Sequence, residues 1–406
     1  WLCRYFCQAE LVIKDTLIAL PDFRLAPVGF EKQDALLPYP KNVYSGFRIL
    51  QEYLCYPDSF LFFDVSGIQP LSAELAAEQI TLRLHFSLPL PADSKIRENS
   101  FRLHCSPAVN LFVHHAEAIA AESGRVEYPL QASYQRPDCY DIFAVRQVFS
   151  QVRAVKKGGV TPVIREFPEF NGFQHQVEYA LKRDVVYYQH RKKTSLLHQG
   201  FDHFIALIQA DGNSPEAYLL KDEVASVSLI CTSREQPVKL QPGDICIPAG
   251  KKTATFRNVT KPTTPLWPVQ DGSLHWSLLS CMNLNYLSLL DLDALKKILH
   301  IFDLPGIHHP QSARLSQKKL DAIEGIDTRP VDHLLDGIPV RGIATTLHIN
   351  PAPIVCEGEI FLLGTMLSFF FSLYASVNSF HELSIVNTRT QESYTWTDRT
   401  GQHALM

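Results

Sequence analysis

Proline is the residue that most constrains how this chain can fold. The sequence has 26 prolines against 19 glycines, the reverse of the usual order. Proline is excluded from helix interiors and from central strands, so a chain this rich in it is built from short elements joined by stiff connections. The triplet Pro262, Pro265 and Pro268 marks one such connection.

The composition is that of a folded protein without a basic surface. The 406 residues are 46% hydrophobic and 20% charged, with a net charge of -4. A chain of this length has two or three domains. No basic surplus or basic amphipathic segment points to nucleic acid or to an anionic membrane. The nine cysteines are an odd number in mostly apolar surroundings, which predicts free thiols in the cytoplasm.

Most of the chain has the alternation of β-structure. Residues 80–86 place Ile80, Leu82, Leu84 and Phe86 on one face, which predicts a half-buried strand. Further strands are predicted at 60–65, 100–114, 126–128, 141–148, 176–183, 185–191, 203–210, 216–230, 340–349, 383–388 and 392–397. We therefore predict an α+β, β-rich fold of several small β-sandwich or barrel-like domains joined by Pro-rich connections. The predicted domains are 1–158, 159–265 (a β-sandwich or barrel) and 266–406 (α+β).

Three segments have helical periodicity: 45–54, 280–302 with a cap or break at Asp291, and 359–380. The last is apolar nearly all round, so we expect it to be buried on every side, without being long enough to span a membrane. It is either an ordinary core helix or part of an intersubunit contact, since aromatic residues are enriched at interfaces. The candidate interface residues are Phe361, Leu367, Phe369, Phe370, Phe371, Tyr374 and Asn378.

No motif in the sequence predicts a reactive centre. His114 and His115 with Glu117 match no known metal-ligand spacing, and Cys3 and Cys7 lack a second pair of ligands. Residues 250–253 end like a phosphate-binding loop but lack its glycine-rich turn, and there is no GxGxxG after a strand and no GxSxG. We expect no catalytic residue, no cofactor and no metal.

Several short motifs follow one another in an order that identifies a family. Residues 22–30 read Asp-Phe-Arg-Leu-Ala-Pro-Val-Gly-Phe, and 36–39 read Leu-Leu-Pro-Tyr. Residues 46–53 read Gly-Phe-Arg-Ile-Leu-Gln-Glu-Tyr, and 60–64 read Phe-Leu-Phe-Phe-Asp. Then come 103–112, 279–280, 284–289, 341–342 and 364–380. In this order the chain resembles the TssF (ImpG or VasA) family of type VI secretion baseplate subunits.

The resemblance implies a structural function. Family members are similar to the wedge proteins of contractile phage tails. The resemblance also implies a wedge of two TssF copies with one TssG, and TssK would attach this wedge to the inner-membrane complex. TssE, the VgrG spike and the TssB/TssC sheath are implied at the level of the whole assembly. The protein would be cytoplasmic, with no insertion into the membrane. The scaffold residues taken from the motifs are Pro38, Tyr39, Gly46, Gln51, Glu52, Asp64, His104, Pro107 and Asn110.

Two features depart from the family pattern. The helical region that begins the family's chains has no counterpart in these residues, and Trp396-Thr-Asp-Arg399 replaces the family's Trp-Pro-Pro-Arg. The alternative reading is a β-rich hydrolase or carbohydrate-binding protein whose site is built from dispersed residues. A polar cleft with convergent titratable groups would favour that alternative.

Overall fold

A computed structural model describes most of the chain. It covers residues 1–13, 16–40, 45–68, 80–90, 95–120, 125, 127–156, 159–170, 185–211, 213, 224–249, 254–269, 272–282, 290–335, 338–354, 356–376 and 378–401. The chain forms two compact units. The first combines Trp1–Ala108 with Asp271–Met406, and the second is Val109–Gln270.

The described residues contain nineteen strands and seven α-helices. The strands are β1 (Phe6–Ile13), β2 (Thr16–Ala19), β3 (Arg24–Pro27), β4 (Phe63–Ser66), β5 (Thr81–Phe86), β6 (Phe112–His115), β7 (Ile119–Ala120), β8 (Glu127–Pro129), β9 (Asp141–Lys156), β10 (Gly159–Phe167), β11 (Val186–Thr194), β12 (Phe201–Gln209), β13 (Val224–Thr232), β14 (Cys246–Ala249), β15 (Ala254–Arg257), β16 (Ile323–Leu335), β17 (Ile338–Ile349), β18 (Phe380–Asn387) and β19 (Ser393–Thr400). The helices are α1 (Leu2–Tyr5), α2 (Ser45–Cys55), α3 (Gly272–Met282), α4 (Leu292–Phe302), α5 (Leu304–His308), α6 (Pro310–Asp321) and α7 (Glu357–Tyr374).

The first unit contains a four-stranded sheet of order β16-β17-β18-β19. Its pairs are antiparallel except β17 with β18, which are parallel. Parallel neighbours need a crossover connection, and α7 supplies it. The main core of the unit draws on α2, α4, α7 and this sheet. Two smaller sheets, β2-β1-β5 and β3-β4, complete the unit.

The second unit is a sandwich of two sheets. One has the order β10-β9-β13-β6, with β7 also paired to β13, and the other has the order β11-β12-β8. One core contains buried residues of both sheets, among them Val148, Leu229, Val186 and Ile205, so the two sheets pack face to face. The β14–β15 hairpin lies outside both sheets. The β-rich fold class with small sandwich-like parts and a buried C-terminal helix is confirmed.

The compact units have other bounds than the predicted domains. The boundary predicted near 158 falls between β9 and β10, which are antiparallel partners from Gly159↔Lys156 to Phe167↔Val148. The predicted boundary therefore falls between two paired strands of one sheet. The boundary predicted after 265 lies near the observed end of the second unit at Gln270.

The predicted helix 359–380 is too long at its C-terminal end. Helix α7 ends at Tyr374, because Ala375 has extended backbone angles of φ -70 and ψ 141. A turn follows, in which the Ser379 amide donates to the Ser376 carbonyl at 2.9 Å. Asn378 lies in that turn and is exposed, and Phe380 begins β18. Because the apolar residues continue through the turn, their pattern alone does not show where the helix stops.

Other predicted elements agree in part. The helix 45–54 is α2, and the Asp291 carboxylate caps α4 by accepting from the Ala294 amide at 3.0 Å. In the segment 100–114, which was predicted to be one strand, only the residues of β6 belong to a sheet. In the segment 60–65, also predicted to be a strand, a 3-10 helix (Pro57–Leu61) precedes β4. Helix α6 and strand β16 were not predicted. The strand predicted at 176–183 lies outside the described residues.

Candidate functional site: a buried network joining the sequence motifs

A buried ion pair lies at the centre of the N-terminal motifs. Arg48 and Glu52 are one turn apart on α2, and Arg48 Nη1 lies 3.2 Å from Glu52 Oε2. The two residues are 5% and 4% exposed. A buried pair is tolerated only when its remaining donors and acceptors are also satisfied. Neighbouring backbone groups satisfy them here.

The backbone around the pair comes from two separate motifs. Arg48 donates to the Gly29 carbonyl at 3.1 Å and to the Phe30 carbonyl at 2.6 Å. Glu52 Oε1 accepts from the amides of Leu36 at 2.9 Å and Leu37 at 3.3 Å. The pair therefore fixes residues 29–37 against α2.

Burial dominates the electrostatics of this network. It raises the pKa of the Glu52 carboxyl, opposed by the charge of Arg48 and by the two amide hydrogen bonds. Burial and the charge of Glu52 together raise the pKa of the Tyr39 hydroxyl well above its usual range. The Glu52 carboxyl group is engaged by Arg48 and by two backbone amides, an arrangement that holds residues 29–37 in place.

Glycine is required where the loop passes α2. Gly29 has φ +105, and a Cβ there would lie 2.9 Å from the Phe60 ring. Its amide donates to Asp34 Oδ2 at 3.0 Å. A left-handed backbone and close packing both exclude larger residues at this position.

An aromatic seam connects the N-terminal motifs to the C-terminal helix. Phe30 stacks on Phe369 with ring centroids 4.6 Å apart, and it contacts Phe60 at 5.0 Å. Tyr53 meets Phe60 edge-on at 5.7 Å. Motifs that are distant in sequence therefore form one packed region of the first unit.

The predicted scaffold residues differ from one another in burial. Gly46 and Glu52 are buried, Tyr39, Gln51 and Pro107 are half-buried, and Pro38, Asp64, His104 and Asn110 are exposed. Asp64 is on β4 opposite Ala26. His104, Pro107 and Asn110 lie in a segment without helix or strand, where His104 has φ 57. The network brings Tyr39 close to Glu52. Gly46 lies on α2 with Glu52, and none of the network contacts described above involves the 103–112 motif.

The candidate interface residues divide by burial. Leu367, Phe370 and Phe371 are fully buried in the core of the first unit. Phe361, Phe369 and Tyr374 are half-buried, and they pack against that core. An intersubunit role thus stays a prediction for the half-buried residues, whereas the fully buried ones have no surface to offer.

His114 and Glu117, which were considered as metal ligands, have separate partners. His114 Nε2 bonds the Ala132 carbonyl at 3.1 Å, and its ring stacks on Tyr140 at 4.5 Å. Glu117 accepts instead from the Tyr134 amide at 3.0 Å. Within the described ranges, no group of three His, Cys, Asp or Glu residues is placed to hold a metal ion. Nor does any helix there have the length and hydropathy needed to cross a membrane.

Sequence reasoning singled out Glu52 but missed its partner Arg48. The signal that could have found it is the i, i+4 spacing of opposite charges inside an otherwise apolar helix. A second missed feature is a histidine pair of the second unit, in which His190 Nε2 and His203 Nδ1 are 2.9 Å apart. The strand register decides that contact: His190 faces Ile205 and His203 faces Lys192 across β11 and β12.

The family is decided by comparison with known proteins. The family model described as "Type VI secretion system, TssF" matches residues 5–403. The chain belongs to the TssF family. Type VI secretion system component TssF1 of Pseudomonas aeruginosa PAO1 is 24% identical over 407 aligned positions, covering 94% of this chain and 62% of that protein. The chain thus spans less than two thirds of the length of this TssF relative.

Two solved structures have the same fold. One is the TssK-TssF-TssG baseplate subcomplex of the type VI secretion system, a chain of which matches with a TM-score of 0.79 at 23% identity. That match covers 99% of this TssF-family chain and 71% of the other. The other is the baseplate complex from the type VI secretion system, with a TM-score of 0.58 at 21% identity. That match covers 89% of this chain and 60% of the other.

Proposed function

We propose that this chain is a structural subunit of the type VI secretion baseplate wedge and acts by assembly, without catalysis. The observation that carries the proposal is the likeness to a chain of the TssK-TssF-TssG subcomplex along 99% of the present chain. A subunit of this kind needs a rigid framework. The buried Arg48–Glu52 network and the C-terminal helix packed in the core of the first unit supply one.

The partners we propose are TssG, TssK and a second copy of this chain. Two copies in one wedge have the same sequence but contact different neighbours. Two compact units can make such different contacts separately. At the level of the whole assembly we propose TssE, the VgrG spike and the TssB/TssC sheath as further neighbours. We also propose a cytoplasmic position, docked to the inner-membrane complex through the baseplate.

The test is reconstitution with defined partners. The protein is co-expressed with the TssG and TssK of the same bacterium, and the mass of the purified complex is measured by native mass spectrometry. We expect a complex with two copies of this chain for one TssG. A monomer that recruits neither partner would overturn the proposal, and one copy per TssG would overturn the stoichiometry alone.

A further inference from the structure

The β11–β12 loop of the second unit is linked to the other sheet of the sandwich by Arg234. Arg234 follows β13, and its Nε donates to the carbonyl of Tyr140, just before β9, at 2.7 Å. Its Nη2 lies 3.2 Å from Nε2 of His198, which is in the loop. The guanidinium therefore joins the loop of one sheet to the ends of two strands of the other.

The backbone at Arg234 is held by local contacts. Arg234 has φ 50, in the left-handed region that residues other than glycine rarely adopt. Such a conformation persists only where the surrounding contacts stabilise it. The Arg234 amide donates to Thr232 Oγ1 at 3.3 Å, in addition to the two contacts of the guanidinium. The guanidinium thus reaches the loop from a fixed backbone.

The two ends of the loop have anchors of their own. The Ser195 amide donates to the Gly200 carbonyl at 3.1 Å, which closes the hairpin. Gly200 has φ +110, and a Cβ there would lie 3.0 Å from Trp267 Nε1. Residues 196–199 lie between these anchors, and the bond to the guanidinium fixes the middle of this segment.

The bond between His198 and Arg234 can form in only one protonation state of the imidazole. A guanidinium has donors and no acceptor, so His198 Nε2 must accept. A ring nitrogen accepts only when it carries no proton, so the bonded imidazole is neutral and has its proton on Nδ1. A proton on Nε2 removes the acceptor and places a second positive charge beside the guanidinium.

A carboxylate is near enough to attract the protonated ring. Asp202 Oδ1 lies 3.7 Å from His198 Nε2, beyond hydrogen-bond distance while the ring is neutral. The two side chains are 46% and 30% exposed, so solvent reaches both. Lys193 lies opposite Asp202 across β11 and β12, but its ammonium pairs with Glu127 at 2.8 Å, which leaves Asp202 for the imidazole. The neutral ring thus has Arg234 as its partner, and the charged ring has Asp202.

The other titratable groups near the loop lie between the two sheets. Lys192, opposite His203 in the strand register, donates to the Phe143 carbonyl at 3.3 Å. Burial lowers the pKa of the Lys192 ammonium, and the charge of Asp141 opposes this. Burial lowers the pKa of His190 to about 4 and that of His203 to about 3, so this pair is neutral at pH 5.5. A response of the loop at that pH therefore reports another group.

We propose that His198 is a proton-operated latch for the β11–β12 loop. The neutral imidazole accepts from Arg234 and holds residues 196–199, whereas the protonated imidazole turns to Asp202 and releases them. The charge of a histidine side chain changes between about pH 5 and 8. The loop is therefore held above this range and mobile below it, while the two sheets stay paired. This inference does not depend on the proposed function.

The test measures the order of the loop in the whole chain at pH 7.5 and pH 5.5. Backbone nitrogen relaxation gives order parameters for the amides of residues 197–199, with those of β12 and β13 as the internal reference. We expect the loop of wild type to change from about 0.85 at pH 7.5 to below about 0.6 at pH 5.5. His198→Gln keeps an acceptor oxygen and does not titrate, so its loop should stay ordered at both pH values. His198→Ala has no acceptor, so its loop should be mobile at both.

Two asparagine variants test the exchange of partners. Asp202→Asn removes the carboxylate that attracts the charged ring, so the midpoint of the loop transition should fall by about 0.2–0.7 pH units, as expected for a partly exposed pair. Asp22→Asn is the matched control, because Asp22 is an exposed carboxylate of the first unit, and it should leave the midpoint unchanged. A midpoint that stays the same or rises in Asp202→Asn would overturn the role of Asp202.

Further outcomes would refute the latch. If the loop of wild type stays ordered at pH 5.5, or if His198→Gln loses order as wild type does, His198 does not control the loop. If β12 and β13 lose order together with the loop, the change is unfolding of the unit and not release of the loop. If His198→Ala is as ordered as wild type at pH 7.5, the bond to Arg234 does not hold the loop. These measurements involve neither TssG nor TssK, so failure of the latch leaves the proposed function standing.

Discussion

The indole of Trp396 occupies the space that a side chain on Gly364 would need. A Cβ on Gly364 would overlap the six-membered ring of Trp396. Trp396 Nε1 also donates to Thr365 Oγ1, the next residue of α7, at 3.1 Å. Helix α7 and strand β19 are therefore interlocked, and the glycine is required by packing in the middle of a helix.

Gly364→Ala is expected to destabilise the chain by about 1–3 kcal/mol, because a methyl group must be inserted into a filled core. Urea denaturation followed by tryptophan fluorescence measures the change. Gly358→Ala is the matched control on the same helix, since a Cβ there meets nothing closer than the Cys356 Sγ at 3.8 Å. We expect the control to be neutral or stabilising, and equal loss in both variants would contradict the packing argument.

Breaking the buried ion pair has a larger expected cost. Arg48→Met leaves the Glu52 carboxylate buried without its partner, so we expect a loss of about 3–5 kcal/mol in the free energy of unfolding. The double variant Arg48→Met/Glu52→Leu removes both charges and should lose less than the sum of the single variants. Urea denaturation checks both.

Arg83→Gln is the surface control for that experiment. Arg83 and Glu10 form a pair at 3.7 Å with the arginine side chain 52% exposed. We expect a change below about 1 kcal/mol, because exposed pairs are screened by water. If the loss of unfolding free energy in Arg48→Met/Glu52→Leu equals the sum of the losses in the two single variants, the Arg48–Glu52 network does not act as a unit.

Two neighbouring phenylalanines of α7 separate a core role from an assembly role. Phe370 is fully buried, so Phe370→Ala should lower the stability by about 3–5 kcal/mol. Phe369 is half-buried and stacks on Phe30. If the helix also serves assembly, Phe369→Ser should stay folded by circular dichroism and fail to form the complex with TssG and TssK. If that variant assembles normally, the assembly role is refuted and the helix serves only the core.

The histidine pair makes the second unit sensitive to acid. Burial lowers the pKa of His190 to about 4 and that of His203 to about 3, from ordinary values near 6.5, and the charges of neighbouring cations, Lys192 among them, act in the same direction. Below about pH 6.5 the unfolded chain binds protons that the folded chain does not, so stability is full above that pH and is lost as the pH falls towards 4.

His190→Gln/His203→Gln should therefore lose less stability between pH 7 and pH 4.5 than wild type, by about 2–5 kcal/mol for the pair. Urea midpoints at the two pH values measure it. His115→Gln, at an exposed position on β6, should keep the wild-type dependence. An unchanged slope in the double variant would show that other groups control acid unfolding.

Two local patterns in the sequence specified local structure correctly. The helix 45–54 has helical apolar spacing, and Asp291 is an N-cap residue before an apolar run, so both depend on neighbours within a few positions. The order of motifs identified the family for the same reason, since the order of residues along the chain is visible without the fold. The end of α7 was missed, because Phe380 continues an apolar pattern across a turn.

Contacts between distant segments needed the tertiary structure. The sequence by itself determined a β-rich, proline-stiffened chain of the TssF family with a helix buried in its C-terminal part. It could not show that Arg48 binds the Gly29 and Phe30 carbonyls, that Gly364 makes room for Trp396, or that His190 lies beside His203. Each depends on which strands and helices pack together, and packing is set by the whole core and not by any short run of residues.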